Sequence, residues 1–132
     1  MRKTEDTYQH KGLRKKLIDH LRTKGITSNI VLEAMYNVPR HFFLDSAFDK
    51  IAYEDRAFPI AEGQTLSQPY TVAYQTQLLN VHRRDTISEI GTGSFYHARI
   101  LSEMGTWFFA YDRQSSFFYA SNTLLFKQKY QN

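Results

Sequence analysis

The sequence predicts an α/β chain. A helical, loop-rich N-terminal part, 1–80, leads into a β-α-β-α unit, 81–132, and the two make one continuous domain. Three observations carry this reading. Leu13, Leu17 and Leu21 recur every fourth residue with Ile18 beside them, as on one face of a helix. Two short strand-like runs, 85–90 and 106–111, bracket a glycine turn and a helical stretch, the alternation that builds a parallel sheet. The length, 132 residues, suits one domain able to bury roughly two-thirds of its unfolded surface.

Taken in order, the first helix stops at Gly25, which follows Lys24 and suits a left-handed C-terminal cap. Thr27 or Ser28 caps a second helix carrying Val31, Met35 and Val38, and Pro39 ends it by disfavouring helical geometry in the residue before it. Residues 40–70, with Pro59, Gly63 and Pro69, read as loop with short strands at most. A helix follows over 70–79 with Val72, Ala73 and Leu79 apolar, then the strand 85–90 and the turn Gly91-Thr92-Gly93-Ser94. A helix over 96–104 offers Ile100, Leu101 and Met104 to a core and stops at Gly105. The strand 106–111 closes at Asp112, and Ser115 or Ser116 caps a final helix with Phe117, Ala120 and Leu124 on one face. Two parallel strands alone leave an unfinished sheet.

Composition excludes several classes. The chain is 42% hydrophobic and 15% aromatic, too rich in aromatics for a disordered chain. No apolar run approaches the roughly 18 residues of a membrane span. The polar start, Met1-Arg2-Lys3-Thr4-Glu5-Asp6, has no apolar segment behind it and argues against a secretory signal. With no cysteine there is no disulfide, thiol nucleophile or thiolate metal site, which fits a cytoplasmic protein. The formal charge is +4, and residues 1–24 carry it with eight basic against three acidic side chains. That run reads as the solvated face of the first helix. A polyanion-binding module is its rival, weakened because no aromatics interleave with the charges.

The strongest local signal is Glu89-Ile90-Gly91-Thr92-Gly93-Ser94. A glycine turn between strand and helix lets backbone N–H groups approach a ligand at the carboxyl end of the strand. Asp112 lies 21 residues after Gly91, where an acid at the end of the second strand accepts both hydroxyls of a ribose. Tyr96 stands where a dinucleotide fingerprint has its last glycine. The acid two residues before the first glycine instead matches E-x-G-x-G, the pattern of S-adenosylmethionine methyltransferases.

The longer segments resemble the protein-L-isoaspartate O-methyltransferase family. These are Val38-Pro39-Arg40-His41-Phe42, Ala52-Tyr53-Glu54-Asp55, Pro59-Ile60, Gly63-Gln64-Thr65-Leu66-Ser67-Gln68-Pro69-Tyr70 and the glycine turn, in the family's order and spacing over roughly residues 12–112. The resemblance implies an incomplete Rossmann-like class I methyltransferase fold. It implies S-adenosylmethionine as cofactor and methyl transfer to the carboxylate of L-isoaspartyl residues in damaged proteins, the first step of their repair. Gln64, Thr65, Leu66 and Ser67 would lie over the cofactor, with Ser67 as the active-site serine. Glu89, Gly91, Gly93 and Ser94 would face its methionine end, and Asp112 its ribose. A carboxylate is already a nucleophile at neutral pH, so such a transfer needs positioning and exclusion of water rather than a general base. Read without the resemblance, Ser67 is a turn serine that caps the helix after it.

Two departures stand out. The family's third glycine is Phe95 here, which either fills cofactor space or turns aside into a core with nearby phenylalanines. The family's C-terminal part has no counterpart, and nothing after Asp112 resembles it. These features support an alternative, a non-catalytic chain acting as an interaction module. They also suggest a homo-oligomer formed through the unfinished sheet edge or the aromatic tail. His10, His20, His41, His82 and His97 show no tight metal-ligand spacing, so no metal is expected. Isoaspartyl peptides or proteins are the expected partners, and neither membrane nor nucleic acid is.

Overall fold

The computed structural model describes the backbone of residues 5–91, 94–112 and 115–120, with side chains through residue 109 except those of Glu62, Thr92 and Gly93. The first helix, α1 (Tyr8–Thr23), starts at the side chain of Thr7, which accepts from the His10 backbone N–H, and buries Leu17, Ile18 and Leu21. Gly25, at φ +99°, closes it. The Ile26 N–H reaches back to the Leu21 carbonyl and the Gly25 N–H to that of Arg22, a Schellman cap whose apolar contact is the buried Ile26. Ser28 caps α2 (Asn29–Asn37), and Val38 is extended ahead of Pro39. A third helix, α3 (Pro69–Leu79), packs against both. Its Gln77 side-chain carbonyl accepts the N–H groups of Thr27 and Ser28, each at 2.9 Å, and so fixes where α2 begins.

Between α2 and α3 runs the loop-rich stretch. Its regular structure is three 3₁₀ turns and a two-residue antiparallel ladder, β1 (Phe58–Pro59) with β2 (Thr65–Leu66). Its order comes from two buried side chains. The fully buried Arg40 donates to the carbonyls of Ala52 at 3.2 Å, Arg56 at 3.2 Å and Ser67 at 2.8 Å. Asp55 accepts the Tyr70 N–H at 2.8 Å and the Lys24 ammonium at 2.9 Å. It thereby satisfies the first turn of α3, whose own N-cap residue, Gln68, makes no side-chain cap bond. Burial pushes the Asp55 carboxyl up, but Lys24 and the Tyr70 N–H outweigh it and hold the group below its ordinary value.

A second buried chain ties the N-terminal segment to this loop. Arg14 donates to the Tyr53 hydroxyl at 2.9 Å, that hydroxyl meets His41 Nδ1 at 2.7 Å, and His41 Nε2 meets the Glu5 carbonyl at 3.0 Å. A carbonyl only accepts, so Nε2 carries a hydrogen. Burial holds His41 below the ordinary histidine value against the pull of Glu5. It also pushes Tyr53 up to about 12 despite Arg14.

Among the described residues the last third forms a three-stranded sheet in the order β3-β4-β5. Strand β3 (Thr86–Ile90) runs parallel to β4 (Trp107–Asp112), with α4 (Tyr96–Glu103) as the crossover between them. The expected final helix is replaced by a strand, β5 (Ser115–Ala120), antiparallel to β4. Asp112 pairs with Ser115, so two residues join the strands, enough for a hairpin and far too few for a crossover helix. The aromatic run Phe117-Phe118-Tyr119 suits a pleated surface better than a helix. Leu124, placed on that helix by the sequence reading, lies outside the described residues. The main core joins α1, α2, α3 and the loop stretch through Leu21, Val31, Leu32, Met35, Phe58 and Val72, and Tyr96 and Ile100 carry α4 into it. A smaller cluster of Ala98, Leu101 and Phe108 packs α4 on the sheet. Among the described residues no helix is long and apolar enough to cross a membrane.

Two outcomes are expected. Arg40→Met strands three carbonyls and lowers unfolding stability by about 3 kcal/mol or more, read from urea midpoints. With His41 depressed in the fold, the unfolded chain takes the proton first. Stability is therefore intact above about pH 6.5, the ordinary value, and falls as the pH drops from there toward the folded value. A urea midpoint that stays level from pH 7.5 down to about 5 contradicts this.

Candidate active site

The β1–β2 hairpin and the glycine turn face one another across a single cleft of about 390 Å³. One wall is the segment 63–67. Within it Leu66 is buried as an anchor while Thr65 and Ser67 alternate to the exposed side. The other wall is the carboxyl end of β3 with the first residues of α4, contributing Glu89, Gly91, Ser94, Tyr96 and His97. Gly91 has φ +79°, and a Cβ added there would meet nothing within 4 Å, so its backbone lies open to a ligand.

Seven of the nine predicted cofactor-binding residues therefore line one cleft: Gln64, Thr65, Leu66, Ser67, Glu89, Gly91 and Ser94. Gly93 lies outside the described residues. Asp112 sits one residue beyond the Ile90–Tyr111 pair, at the carboxyl end of the sheet, and its side chain is outside the described residues. The alternative role for Ser67 does not hold, because Asp55 rather than Ser67 satisfies the start of α3. Among the described residues the Ser67 hydroxyl makes no hydrogen bond, which leaves it available to a ligand.

Phe95 resolves in favour of core. It is half-buried against the cluster of Ala98, Leu101 and Phe108 and is not part of the cleft wall. Its backbone nevertheless keeps the left-handed geometry of a glycine, φ 65° and ψ 10°. An aromatic residue holds that geometry at a cost of about 1–2 kcal/mol.

Sequence reasoning missed five lining residues: Gly63 ahead of β2, Val72 and Gln75 on α3, and Tyr96 and His97 on α4. Tyr96 and His97 directly follow the glycine motif, which was the available signal. Tyr96 is buried beneath the Arg40 guanidinium, 5.0 Å from its ring centre, and burial raises its phenol despite Arg40. His97 Nδ1 lies 3.5 Å from Glu89 Oε1, and its Nε2 lies 2.8 Å from the Thr76 hydroxyl. The fold also gathers Asp6, His10 and His41, with ligand atoms within 4.8 Å of one another, a grouping that sequence spacing conceals. Asp6 is taken by Arg14, His10 Nδ1 by Thr7, and both His41 nitrogens by Tyr53 and Glu5, so the cluster reads as a structural tie.

Comparison with known proteins gives this geometry a family. The family model described as Protein-L-isoaspartate(D-aspartate) O-methyltransferase (PCMT) matches residues 12–130. The chain belongs to that family. The match runs past Asp112, where the sequence reading had ended the resemblance, so the segment after it is family-like as well. The protein-L-isoaspartate O-methyltransferase of Cytophaga hutchinsonii is 54% identical over 121 residues, 92% of this chain and 55% of the relative. That of Flavobacterium psychrophilum is 49% identical over 92% of this chain and 57% of its own length. The chain thus spans about half the length of the curated relatives it matches. A solved protein-L-isoaspartate O-methyltransferase superposes with a TM-score of 0.65 at 27% identity, over 74% of this chain and 33% of its own. A second, from Plasmodium falciparum and solved in complex with S-adenosyl-L-homocysteine, gives a TM-score of 0.59 at 24% identity, over 76% and 49%. The fold of this PCMT-family chain is accordingly an incomplete class I methyltransferase fold.

Because Phe95 packs away from the cleft, Phe95→Gly is expected to leave ligand affinity within about twofold. Truncating a fully buried Phe costs about 3–5 kcal/mol, and this half-buried one loses less while shedding its backbone strain. A net destabilisation of about 1–2 kcal/mol is expected by thermal or urea unfolding.

Proposed function

We propose that this chain binds S-adenosylmethionine and performs methyl transfer to the carboxylate of L-isoaspartyl residues in damaged proteins, a step in their repair. One observation carries the reading: the Gly-Gln-Thr-Leu-Ser segment and the glycine turn line opposite walls of one cleft. The donor set suits the cofactor. Glu89 offers an acceptor to a cationic group, the Gly91 backbone is open, and the cleft falls in the usual range of small-molecule sites. Glu89, Gly91, Gly93 and Ser94 would hold the methionine end, Gln64, Thr65 and Leu66 would cover it, and Asp112 would take the ribose. The bound cofactor supplies an activated methyl group. Ser67 donates a hydrogen bond to the substrate carboxylate and fixes its direction of approach, while the walls exclude water. No residue has to remove a proton. Buried Arg40 holds the Ser67 carbonyl and so sets where the hydroxyl stands. The reading places the protein in the cytoplasm, in keeping with its lack of cysteine.

A second reading draws on the sheet. Among the described residues strand β3 has a neighbour on one side only, Ile90 is 88% exposed and Trp107 is 52% exposed. Such an edge suits a module that works by association, including with another copy of itself. Sedimentation decides: a self-associating species supports it, and a monomer at all concentrations counts against it. The first reading is tested by calorimetric titration with S-adenosylhomocysteine, for which micromolar binding is expected. Ser67→Ala is expected to lower the methyl-transfer rate on an isoaspartyl peptide about 10²-fold, with the cofactor affinity changing much less. A folded chain that binds no S-adenosylhomocysteine contradicts the reading.

A further inference from the structure

His97 belongs to the cleft yet has no part in the mechanism above. The Thr76 hydroxyl has one hydrogen, and it goes to the Val72 carbonyl at 2.6 Å. Toward His97 Nε2, at 2.8 Å, that hydroxyl can only accept, so Nε2 carries the ring hydrogen. In the neutral ring Nδ1 is then bare, and it faces Glu89 Oε1 at 3.5 Å, acceptor against acceptor. The other carboxylate oxygen, Oε2, is buried with no hydrogen-bond partner among the described residues. The carboxylate therefore lacks donors on both oxygens, while its side chain stays 23% exposed in the cleft wall. An arrangement of this kind is completed by a proton on Nδ1 or by an N–H cation from a ligand.

We propose that His97 is a proton-operated gate on Glu89 that decides whether the cleft can hold a ligand's ammonium group; this rests on the cofactor reading above. With His97 neutral, Nδ1 and Glu89 together present two acceptors and one negative charge to a primary ammonium. With His97 protonated, Nδ1–H closes on Glu89 Oε1, the pair becomes neutral, and the ammonium loses its partner. Histidine is the side chain whose charge changes at such pH values. Among the described residues lining the cleft, the titratable groups are Glu89 from β3 and His97 and Tyr96 from α4. From α3 the uncharged Thr76 contacts His97 and the uncharged Gln75 lines the same cleft, and α2 lines no part of it.

The test is calorimetry with S-adenosylhomocysteine, which carries one primary ammonium, at pH 8 and pH 5.5, together with ¹⁵N NMR of the His97 ring in the free protein. Wild type is expected to bind about 10-fold more weakly at pH 5.5, and His97→Gln, which takes no proton, to lose that drop whatever its affinity. The spectra should show the Nε2–H tautomer at pH 8. Equal wild-type affinity at the two pH values, a drop retained in His97→Gln, or an Nδ1–H tautomer overturns the gate alone. Absence of binding by both proteins at both pH values overturns the cofactor reading and the gate with it.

Discussion

The Arg40 guanidinium is the constraint on which the site depends. It is fully buried, and its donors collect carbonyls from three separate places, Ala52, Arg56 and Ser67, while its face lies over Tyr96. The stretch from 40 to 68 has almost no ladder of its own, so its carbonyls need partners from outside the backbone. A planar fork with five donors meets that need in a way an ammonium cannot. Because the same side chain touches the Ser67 carbonyl and the Tyr96 ring, it sets the spacing between the two walls of the cleft. Asp55 does the complementary work with acceptors, joining the end of α1 to the start of α3.

The two walls differ in how they are held. The hairpin wall is anchored by Leu66 in the main core and by Arg40 beneath Ser67. The glycine-turn wall stands on β3, where no residue is fully buried. The left-handed backbone at Phe95 adds to the contrast: the turn keeps the shape a glycine gives, and the phenyl ring supplies apolar contact to α4 and β4.

What the sequence made legible was local. Gly25 as a cap, an N-cap at Thr27 or Ser28 and Pro39 as a stop each follow from the residue's own stereochemistry or from neighbours within a few positions. The regions of the site were legible for the same reason, because each wall is one contiguous segment. What stayed hidden depends on distant partners. Nothing near residue 70 reveals that Asp55, 15 residues earlier, satisfies its N–H. The contact of His97 with Thr76 joins two helices, and His10 stacks on His41 at 3.7 Å across 31 positions of chain. The strand β5 was misread as helix because Phe117, Ala120 and Leu124 fit a helical spacing. The hairpin pairing of Asp112 with Ser115 decides otherwise.

Among the described residues β3 is paired on one side only, and that pairing has a thermodynamic consequence. A strand bonded along a single edge, with every second residue exposed, opens locally more readily than one held on both sides. The glycine turn continues directly from it. A ligand seated there therefore spends part of its contact energy ordering the strand that carries its own binding turn. The heat released on binding then exceeds what the final contacts alone provide, with a matching entropy loss. The amide protons of residues 86–90 become a reporter of occupancy, exchanging with solvent more slowly in the complex although none of them needs to touch the ligand.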